Sequence, residues 1–476
     1  MHRKEFNKIY LIRMGSAVLK ESGGHPRHFT PPFALKYIQS LLIEEGYQVK
    51  LNDCLVRTSP LERLLSDVLD WSPSLIVIHC SVHSKEAAFE FASLVKKHSN
   101  IFIVVIGQGP TVNYLDYIFP GSPFDVGLLG EAEQEVALLL KNLNGEKNKE
   151  EVREFYYNMA LKNEMNLISD LNTLPIPKYN STEIQDYQFF YPIRLYKKLK
   201  WGHILTTRGC CYRCFFCSQV TRETYGDEVR LRNPAKVVDE IEYLISIGVN
   251  IISFDDDNFT TSKEHIEGIC YEILKRNLDI QWIAHARIDE LSVPLMDLMK
   301  RGGCVLLRFG IESGSKRIVD IFKKNPRNLD WVNTSQRVFN YSRRIGIATH
   351  ALFMVGNPTE TEDEIRDTIR LAKLLEPDFI QVHFFTIYPG SIAYEQFKDK
   401  IDKENLSKMY HYYMPELNLS NVDSHQLFRI RANFYREFFL RATFFIKHFL
   451  NYGLFYLHNL DVGYKLSKLY KILLYR

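Results

Sequence analysis

The sequence lacks the features of a membrane-spanning or secreted chain. No window reaches about 18 consecutive apolar residues, the length at which a spanning helix is expected. The opening segment MHRKEFNKIYLIRMGS lacks the apolar stretch and cleavage site of a signal peptide. A strong net charge is also missing, since 60 Lys and Arg stand against 57 Asp and Glu, so nothing global indicates nucleic-acid binding. The eight cysteines are clustered and do not form a spread disulfide framework, which predicts a reducing, cytoplasmic location.

The first 145 residues alternate short β-rich runs with helical patterns. Nearly continuous apolar strands separated by helices are typical of a parallel sheet that is covered on both faces. We therefore predict a doubly wound, Rossmann-like domain over residues 1–145, which binds ligands at the carboxyl ends of its strands. The predicted strands are residues 8–13, 48–53, 75–80, 101–107 and 124–130.

The rest of the chain predicts three further regions. Residues 146–200 begin with the charged run NGEKNKEEVREF and continue with prolines and few helical signals, which indicates a surface linker. Strands and helices alternate again over residues 201–400, which predicts a (βα)6 partial TIM barrel with its active site at the strand C-termini. The fold class is therefore α/β. The six predicted barrel strands are residues 203–208, 250–256, 280–287, 304–313, 347–356 and 379–388.

The C-terminal region, residues 401–476, is helical in pattern, aromatic and basic. From residue 426 onward it has nine Lys and Arg against two Asp and Glu. We expect a helical cap that packs its aromatic face on the barrel. Peripheral membrane contact, or a lid over an apolar substrate, is the alternative for this composition.

Four of the eight cysteines lie in RGCCYRCFFCSQ, directly after the first predicted barrel strand. One register, Cys211, Cys214 and Cys217, is similar to a bacterial ferredoxin run, but Thr221 stands where that run needs its fourth cysteine. The other register, Cys210-x3-Cys214-x2-Cys217, supplies three thiolates and leaves one iron of a [4Fe–4S] cluster open to a substrate. Structural zinc, ferredoxin-type electron transfer and inert buried thiols are the alternatives.

The run RGCCYRCFFC resembles the signature of radical S-adenosylmethionine (SAM) enzymes, C-x3-C-x-aromatic-C. Phe216 fills the aromatic position. The resemblance implies that Cys210, Cys214 and Cys217 bind a [4Fe–4S] cluster whose open iron binds SAM, and that Cys211 is a bystander.

Later segments resemble, in the right order, the SAM-binding strand ends of the same family, from about residue 200 to residue 397. The resemblance implies that FDDDNFT (254–260) brings carboxylates to the methionyl ammonium, that HARID meets the methionyl carboxylate and that FGIESGS (309–315) lies beside the ribose. FMVGNPTET (353–361) and YPGS (388–391) would close the fifth and sixth strands, with a glycine that lets the backbone approach the adenosyl group. A solvated acidic loop and a plain surface salt bridge are the alternatives for the first two segments. The implied residues are Asp255, Asp256, Arg287, Glu312, Ser313 and Gly356.

A doubly wound domain that precedes such a barrel resembles the cobalamin-binding subfamily. Three loops carry the likeness, HCSVHS (79–84), GQGPTV (107–112) and GEAEQE (130–135), whose small residues would let the backbone approach a flat corrin. The residues implied are Ser81, Gly107, Gly109, Thr111, Gly130 and Glu131. The Asp-x-His-x-x-Gly motif is absent and His79 and His83 lack its spacing, so we expect cobalamin bound without a protein imidazole, or a domain that has lost the cofactor.

The resemblance implies a class B radical SAM methyltransferase that acts on a small molecule or natural product. A 5′-deoxyadenosyl radical would take hydrogen from an unactivated carbon, and methylcobalamin would deliver the methyl group. A cyclase, rearrangement or oxidation enzyme with the same cofactors is the first alternative, and a non-catalytic cobalamin or iron–sulfur sensor is the second. The resemblance also implies a flavodoxin or ferredoxin as electron donor.

Overall fold

A computed structural model describes residues 5–15, 30–57, 59–145, 147–180, 182–189, 199–217, 226, 228–401, 417–442, 444 and 446. The described residues form α/β architecture with two separate parallel sheets, as predicted. The helices run in chain order from α1 to α14. They are α1 Phe33–Glu44, α2 Leu61–Trp71, α3 Lys85–His98, α4 Gln108–Val112, α5 Glu133–Leu143, α6 Lys149–Leu161, α7 Pro234–Ser246, α8 Lys263–Lys275, α9 Val293–Arg301, α10 Lys316–Ile321, α11 Trp331–Ile345, α12 Glu362–Leu375, α13 Ile392–Phe397 and α14 Ser424–Phe439.

The first sheet has five strands in the order β2-β1-β3-β4-β5, and all its pairs are parallel. This order is that of a doubly wound domain whose ligand crevice lies where the strand order reverses. Its strands are β1 Lys8–Arg13, β2 Gln48–Asp53, β3 Leu75–His79, β4 Phe102–Ile106 and β5 Val126–Gly127.

Both faces of the first sheet are buried, because successive side chains of a strand point to opposite faces. Ile9 and Leu11 pack with α1 and α5 on one face, whereas Tyr10 and Ile12 pack with α2 and α3 on the other. The continuous apolar runs in the sequence therefore correspond to strands that are covered by helices on each side.

The predicted linker contains helix α6, Lys149–Leu161, and this differs from the sequence-based expectation. Asn148 accepts a hydrogen bond from the Glu151 N–H, and Glu151 accepts in return from the Asn148 N–H, which is a capping box. Val152 and Tyr156, one turn apart, are buried in the core of the first sheet. The charged residues that suggested a linker form the exposed side of this amphipathic helix.

The second sheet has six parallel strands in the order β13-β12-β11-β10-β9-β6. Within the described residues its edge strands β6 and β13 do not pair with each other, so it is a partial barrel, as predicted. Its strands are β6 Trp201–Ile204, β9 Ile251–Phe254, β10 Gln281–Ala286, β11 Cys304–Glu312, β12 Ala348–Val355 and β13 Phe379–Phe384. The first predicted barrel strand is broken, since Thr207–Arg208 forms a separate strand, β7, that pairs antiparallel with β8 (Arg230–Leu231).

Helix α14 packs on the barrel through Leu427, Phe434 and Phe438, which are fully buried in its outer core. The expected helical cap is confirmed for this stretch of the C-terminal region. Residues 402–416 and 447–476, which also belong to that region, lie outside the described residues. Among the helices that the structure describes, none has the length and apolar character needed to cross a bilayer.

Candidate functional site

The cysteine loop follows β7 at the carboxyl end of the barrel, and two backbone hydrogen bonds of Phe215 anchor it. The Phe215 N–H donates to the Phe322 carbonyl at 3.0 Å, and its carbonyl accepts from the Ala393 N–H at 3.1 Å. Gly209 begins the loop with φ +88°, and a Cβ there would lie 2.3 Å from the Glu228 carbonyl oxygen. Only glycine fits that turn, because a side chain would be both strained and blocked.

The three signature thiols interact electrostatically with one another. Desolvation raises the pKa of Cys210 to about 11 and that of Cys217 to about 12, and the Cys214 thiol contributes to both shifts. By solvent exposure, Cys214 is buried, Cys210 is half-buried, and both Cys211 and Cys217 are exposed. A site that opposes thiolate formation in this way suits a metal centre, which supplies the positive charge that deprotonated ligands need.

The donor set fits a cluster better than a single ion. In the described part of the chain, no group of three or more His, Cys, Asp or Glu side chains is arranged to hold one metal ion. Three cysteine ligands spread over a loop are what a [4Fe–4S] cluster with one open iron requires. Among the described residues, no side-chain group therefore supports the single-zinc alternative.

Two cations lie beside the cysteine loop. The Arg287 guanidinium lies 3.6 Å from the centre of the Tyr212 ring, and Asp289 binds it through two hydrogen bonds of 3.0 Å. The buried Lys324 ammonium pairs with Glu312 at 3.2 Å. The Cys214 thiol contributes to the raised pKa of both cations, which places their charges near the ligand set. The sequence analysis missed Lys324, because this residue lies on a loop with no motif around it.

The carboxylates of the two predicted aspartates, Asp255 and Asp256, are already hydrogen-bonded to protein groups. Asp256 is buried and accepts four hydrogen bonds from the backbone N–H groups and hydroxyls of Thr206 and Thr207. Asp255 accepts from Ser253 at 2.6 Å and shares a 2.6 Å hydrogen bond with the His203 ring. The Thr206 and Thr207 segment leads directly into the cysteine loop, so Asp256 supports that loop from below.

The third aspartate of the same run, Asp257, faces the thiols. Desolvation by the surrounding protein and the Asp256 charge raise the pKa of Asp257 to about 7, and its own charge raises the pKa of Cys210 and Cys217. Its carboxylate is solvent-exposed and makes no hydrogen bond to the described residues. The sequence-based prediction assigned the methionyl ammonium to the first two members of the run DDD. Contacts decide between them, because Asp255 and Asp256 are held by protein groups, and a lone sequence does not show these contacts.

Of the other predicted SAM-site residues, one lies close to the cysteine loop and two pack against protein groups elsewhere. Glu312 ends β11 with φ +67° beside Lys324, close to the cysteine loop. The Ser313 hydroxyl is buried and lies 3.1 Å from the Thr368 hydroxyl. Gly356 has φ +80°, and a Cβ there would lie 2.6 Å from Leu427 of α14. The Ser313 hydroxyl and the Cα of Gly356 therefore face protein neighbours, Thr368 and Leu427, respectively.

The predicted cobalamin residues lie in three loops at the carboxyl edge of the first sheet. Ser81 caps the turn after β3 together with Ser84. The Thr111 hydroxyl donates to the Gly107 carbonyl at 2.8 Å and accepts from the Gly130 N–H at 3.1 Å, which ties the loops after β4 and β5. These small residues at one edge fit a flat ligand. At Gly109, however, a Cβ would lie 2.2 Å from the Tyr117 hydroxyl, so protein packing already explains that glycine.

Glu131 has a different environment from the predicted one. It pairs through both oxygens with Arg230 of β8, at 2.9 and 2.6 Å, and its carboxylate is fully buried. Its neighbour Glu133 pairs with Arg208 of β7 at 2.5 Å. Since Arg208 lies two residues before Cys210, these ion pairs join the loop after β5 and the start of α5 to the strand that precedes the predicted cluster cysteines.

The carboxyl ends of the two sheets therefore face each other. The loop after β3 also reaches the end of β13, where the ring of His83 meets that of Tyr388 at 6.1 Å. His79 packs against Gly107 instead, and burial lowers its pKa to about 4. Both histidines thus belong to loop packing in the described structure.

Residues 204–372 match the Radical SAM superfamily. Over these residues the chain is similar to radical SAM domains. An uncharacterized methyltransferase of Pyrococcus horikoshii is 28% identical over 376 residues, which cover 77% of this chain and 78% of the relative. An anaerobic magnesium-protoporphyrin IX monomethyl ester cyclase of Cereibacter sphaeroides is 24% identical over 86% of this chain and 67% of its own length.

A solved structure shares the two-sheet fold of this chain. It is the radical SAM methyltransferase TsrM from Kitasatospora setae, with cobalamin and a [4Fe–4S] cluster bound. The TM-score is 0.63 at 17% sequence identity, over 83% of this chain and 75% of that one. The likeness extends beyond the barrel and supports the α/β fold on both sides of the junction.

Proposed function

We propose that this protein is a cobalamin-dependent radical SAM methyltransferase that methylates an unactivated carbon of a small molecule. The observation that carries the proposal is the meeting of two carboxyl edges, one with the three-cysteine loop and the other with the three small-residue loops. Arg208 and Glu133 join these edges two residues before the first cysteine. Such a junction suits a reaction that needs two reactive centres in one cavity from which water is excluded.

In this proposal the cysteines Cys210, Cys214 and Cys217 hold the cluster, with Phe216 packed against Phe322 behind them. Asp257 binds the methionyl ammonium, because its carboxylate faces the thiols and has no hydrogen-bond partner in the part of the chain that the structure describes. Glu312 and Lys324 lie beside the cysteine loop and shape the charge around SAM. When bound, the cluster and cobalamin supply the electron that cleaves SAM and the methyl group that is transferred.

The first domain holds cobalamin in the proposal by shape and backbone groups. Ser81, Gly107, Thr111 and Gly130 border the three loops at its carboxyl edge, and no axial histidine motif is present. Glu131, by contrast, positions the loop through Arg230 and does not contact the cofactor. A flavodoxin or ferredoxin donates the electron, and chemical reduction by dithionite can replace it in a test.

The experiment is a metal and cofactor count on protein that is purified anaerobically from cobalamin-fed cells. We expect about four irons per chain, one cobalamin, and 5′-deoxyadenosine formation from SAM after reduction. Cys210→Ala should lose the iron and the deoxyadenosine, whereas the matched variant Cys211→Ala should keep both. Iron without cobalamin would contradict the methyltransferase assignment, and equal effects of the two cysteine variants would contradict the ligand assignment.

A second candidate follows from the cyclase among the relatives. It keeps both cofactors but forms or rearranges a ring without methyl transfer. Product mass distinguishes the two, since methylation adds one methyl group and cyclisation changes only the hydrogen count. A non-catalytic sensor would bind the cofactors but form no deoxyadenosine.

A further inference from the structure

The lumen of the barrel has two layers of different character. Side chains of a strand alternate between the lumen and the surrounding helices. The lower layer is apolar and fully buried, as in most barrels of this kind. It consists of Trp201, Ile251, Ile283 and Leu306, with Phe189 packed against them.

The next layer towards the cysteine loop is polar. Leu307 and Phe309 point outward into the helix-facing core, so Arg308 between them points into the lumen. In register, Arg308 is paired with His285 on one neighbouring strand and with His350 on the other. Three nitrogen-bearing side chains therefore form a row across β10, β11 and β12.

Arg308 is buried, with 8% of its surface exposed, and not all of its N–H donors have a hydrogen-bond acceptor among the described residues. Its Nη2 donates to the Ser253 hydroxyl at 3.2 Å and lies 3.6 Å from Asp255, which is beyond hydrogen-bond distance. Its Nε is buried and has no hydrogen-bond partner among the described residues. A buried guanidinium with an unused donor is costly, because its desolvation is not offset by an acceptor.

The electrostatic potential around His285 is positive. Burial lowers the pKa of His285 well below its ordinary value, and the charges of Arg308, His350 and Lys324 lower it further. The negative groups nearby already have partners: Asp255 is bound by His203 and Ser253, and Glu312 is bound by Lys324. Among the described residues, the unused group that supports a ligand in this layer is therefore the Arg308 Nε–H donor.

The polar layer is also reachable. His285 and Asp255 are partly exposed, as are the lumen-facing Gln381 and His383 of the open-edge strand β13, whereas the apolar floor is closed. The solvent-accessible surface in the lumen thus coincides with the polar layer, directly below the strand ends that carry the proposed SAM site.

We propose that this polar layer binds an oxyanion, a carboxylate or a phosphoryl group, carried by the substrate. Arg308 is the main donor, and His285 and His350 flank it. The inference rests on the proposed function and narrows its substrate class to small molecules with an anionic end. That end would anchor in the lumen, while the carbon to be modified remains at the strand ends.

The test titrates inorganic phosphate calorimetrically into anaerobically reconstituted holoprotein that is saturated with SAM. Saturation fills the SAM site and the open iron, so phosphate is excluded from both. We expect saturable binding of one phosphate, weakened at least about tenfold in Arg308→Gln, since a charged hydrogen bond contributes about 1.5–3 kcal/mol. Arg308→Lys keeps the charge and should retain part of the affinity. His285→Asn, at a side chain without a hydrogen-bond partner among the described residues, should fold normally and weaken binding.

The matched control is Arg344→Gln, since Arg344 is exposed on a barrel helix. Phosphate binding that is absent, or equal in Arg308→Gln and the control, overturns the inference. Loss of SAM binding in Arg308→Gln also overturns it, because Arg308 would then serve SAM. Deoxyadenosine formation tests the proposed function separately. A protein that forms deoxyadenosine but ignores phosphate loses only the anion site, whereas one that binds phosphate but never cleaves SAM loses only the proposed function.

Discussion

Arg208 and Glu133 lie 75 residues apart in the chain and form a 2.5 Å ion pair in which both side chains are almost completely buried. The pair joins the strand before the three cysteines of the proposed cluster site to the first residue of α5, which follows β5 of the first sheet. The Arg208 guanidinium also lies over the Tyr37 ring, 5.4 Å from its centre. The alignment of the two sheets therefore depends on a charge pair that solvent does not screen.

Removing one member of this pair should destabilise the protein strongly. Glu133→Gln leaves the Arg208 charge buried with a single weaker partner, and we expect a loss of about 3–5 kcal/mol in the free energy of unfolding. The double variant Glu133→Gln/Arg208→Met should recover part of that loss, because it removes both charges. Urea unfolding measures both effects. The exposed pair Arg153 and Glu150 provides the control, and Glu150→Gln should cost less than about 1 kcal/mol. Equal costs for the two Glu→Gln variants would refute the prediction.

Asp256 should be required for a stable cysteine loop. Asp256→Ala leaves the buried N–H groups of Thr206 and Thr207 without an acceptor, at about 1–3 kcal/mol each. We expect both a lower unfolding free energy and less iron per chain after reconstitution. Asp279→Ala, at an exposed aspartate on the same barrel, is the control and should change neither quantity. Normal iron content in Asp256→Ala would show that the loop needs no such support.

Because Gly356 lies close to Leu427 of α14, we expect substitutions at these two positions to have coupled effects on stability. In Gly356→Ala the new Cβ meets Leu427, and the positive φ adds strain of about 1 kcal/mol. The same substitution should cost less in a Leu427→Ala background, where the steric conflict is relieved. Gly46→Ala has a similar φ of +83° with open space around it, so it measures the strain alone. Thermal unfolding of the four-variant cycle tests the coupling. Additive effects of Gly356→Ala and Leu427→Ala would mean that the two positions do not meet.

The raised pKa of Glu360 predicts that the free energy of unfolding falls as pH rises. Burial raises its pKa to about 7, although the N–H groups of Gly356 and Asn357 donate to it and oppose the shift. Because the folded pKa lies above the unfolded one, the stabilisation is present below about pH 4.5 and is lost as pH rises through 7. Relative to Glu360→Gln, the wild type should lose up to about 3 kcal/mol between pH 4.5 and pH 8. Urea unfolding across this range measures the difference. A constant difference between the two proteins would contradict the raised pKa, and Glu395→Gln, at an exposed position, is the control.

Strand positions were predictable from the sequence because they depend on local patterns. Apolar runs such as IVIH and FIVVI mark strands that are covered on both faces, and the observed strands agree with the predicted ones to within a few residues at most ends. Helix α6 was missed because its charged first turn dominates a short window, while its two buried residues are only one turn apart. The break between β6 and β7 was missed because the β-branched residues Ile204, Thr206 and Thr207 favour one continuous strand over HILTTR.

Site residues were predictable only where a motif names them. The three cysteine positions follow from their spacing, whereas Asp257 and Lys324 emerge only from the folded arrangement. The sequence analysis placed Glu131 among the cofactor contacts. Its pairing with Arg230, 99 residues later in the chain, assigns it to the junction between the sheets.

The sequence by itself determined the order of strands and helices, the α/β class and the thiols for a cluster, because these depend on residue periodicity and on spacing within one loop. Only the tertiary structure decided which aspartate faces the thiols, which glutamate holds the junction and that Arg308 and His285 share a polar lumen. These outcomes depend on burial and on contacts between residues far apart in the chain, since desolvation and charge pairing act through space and leave no local pattern.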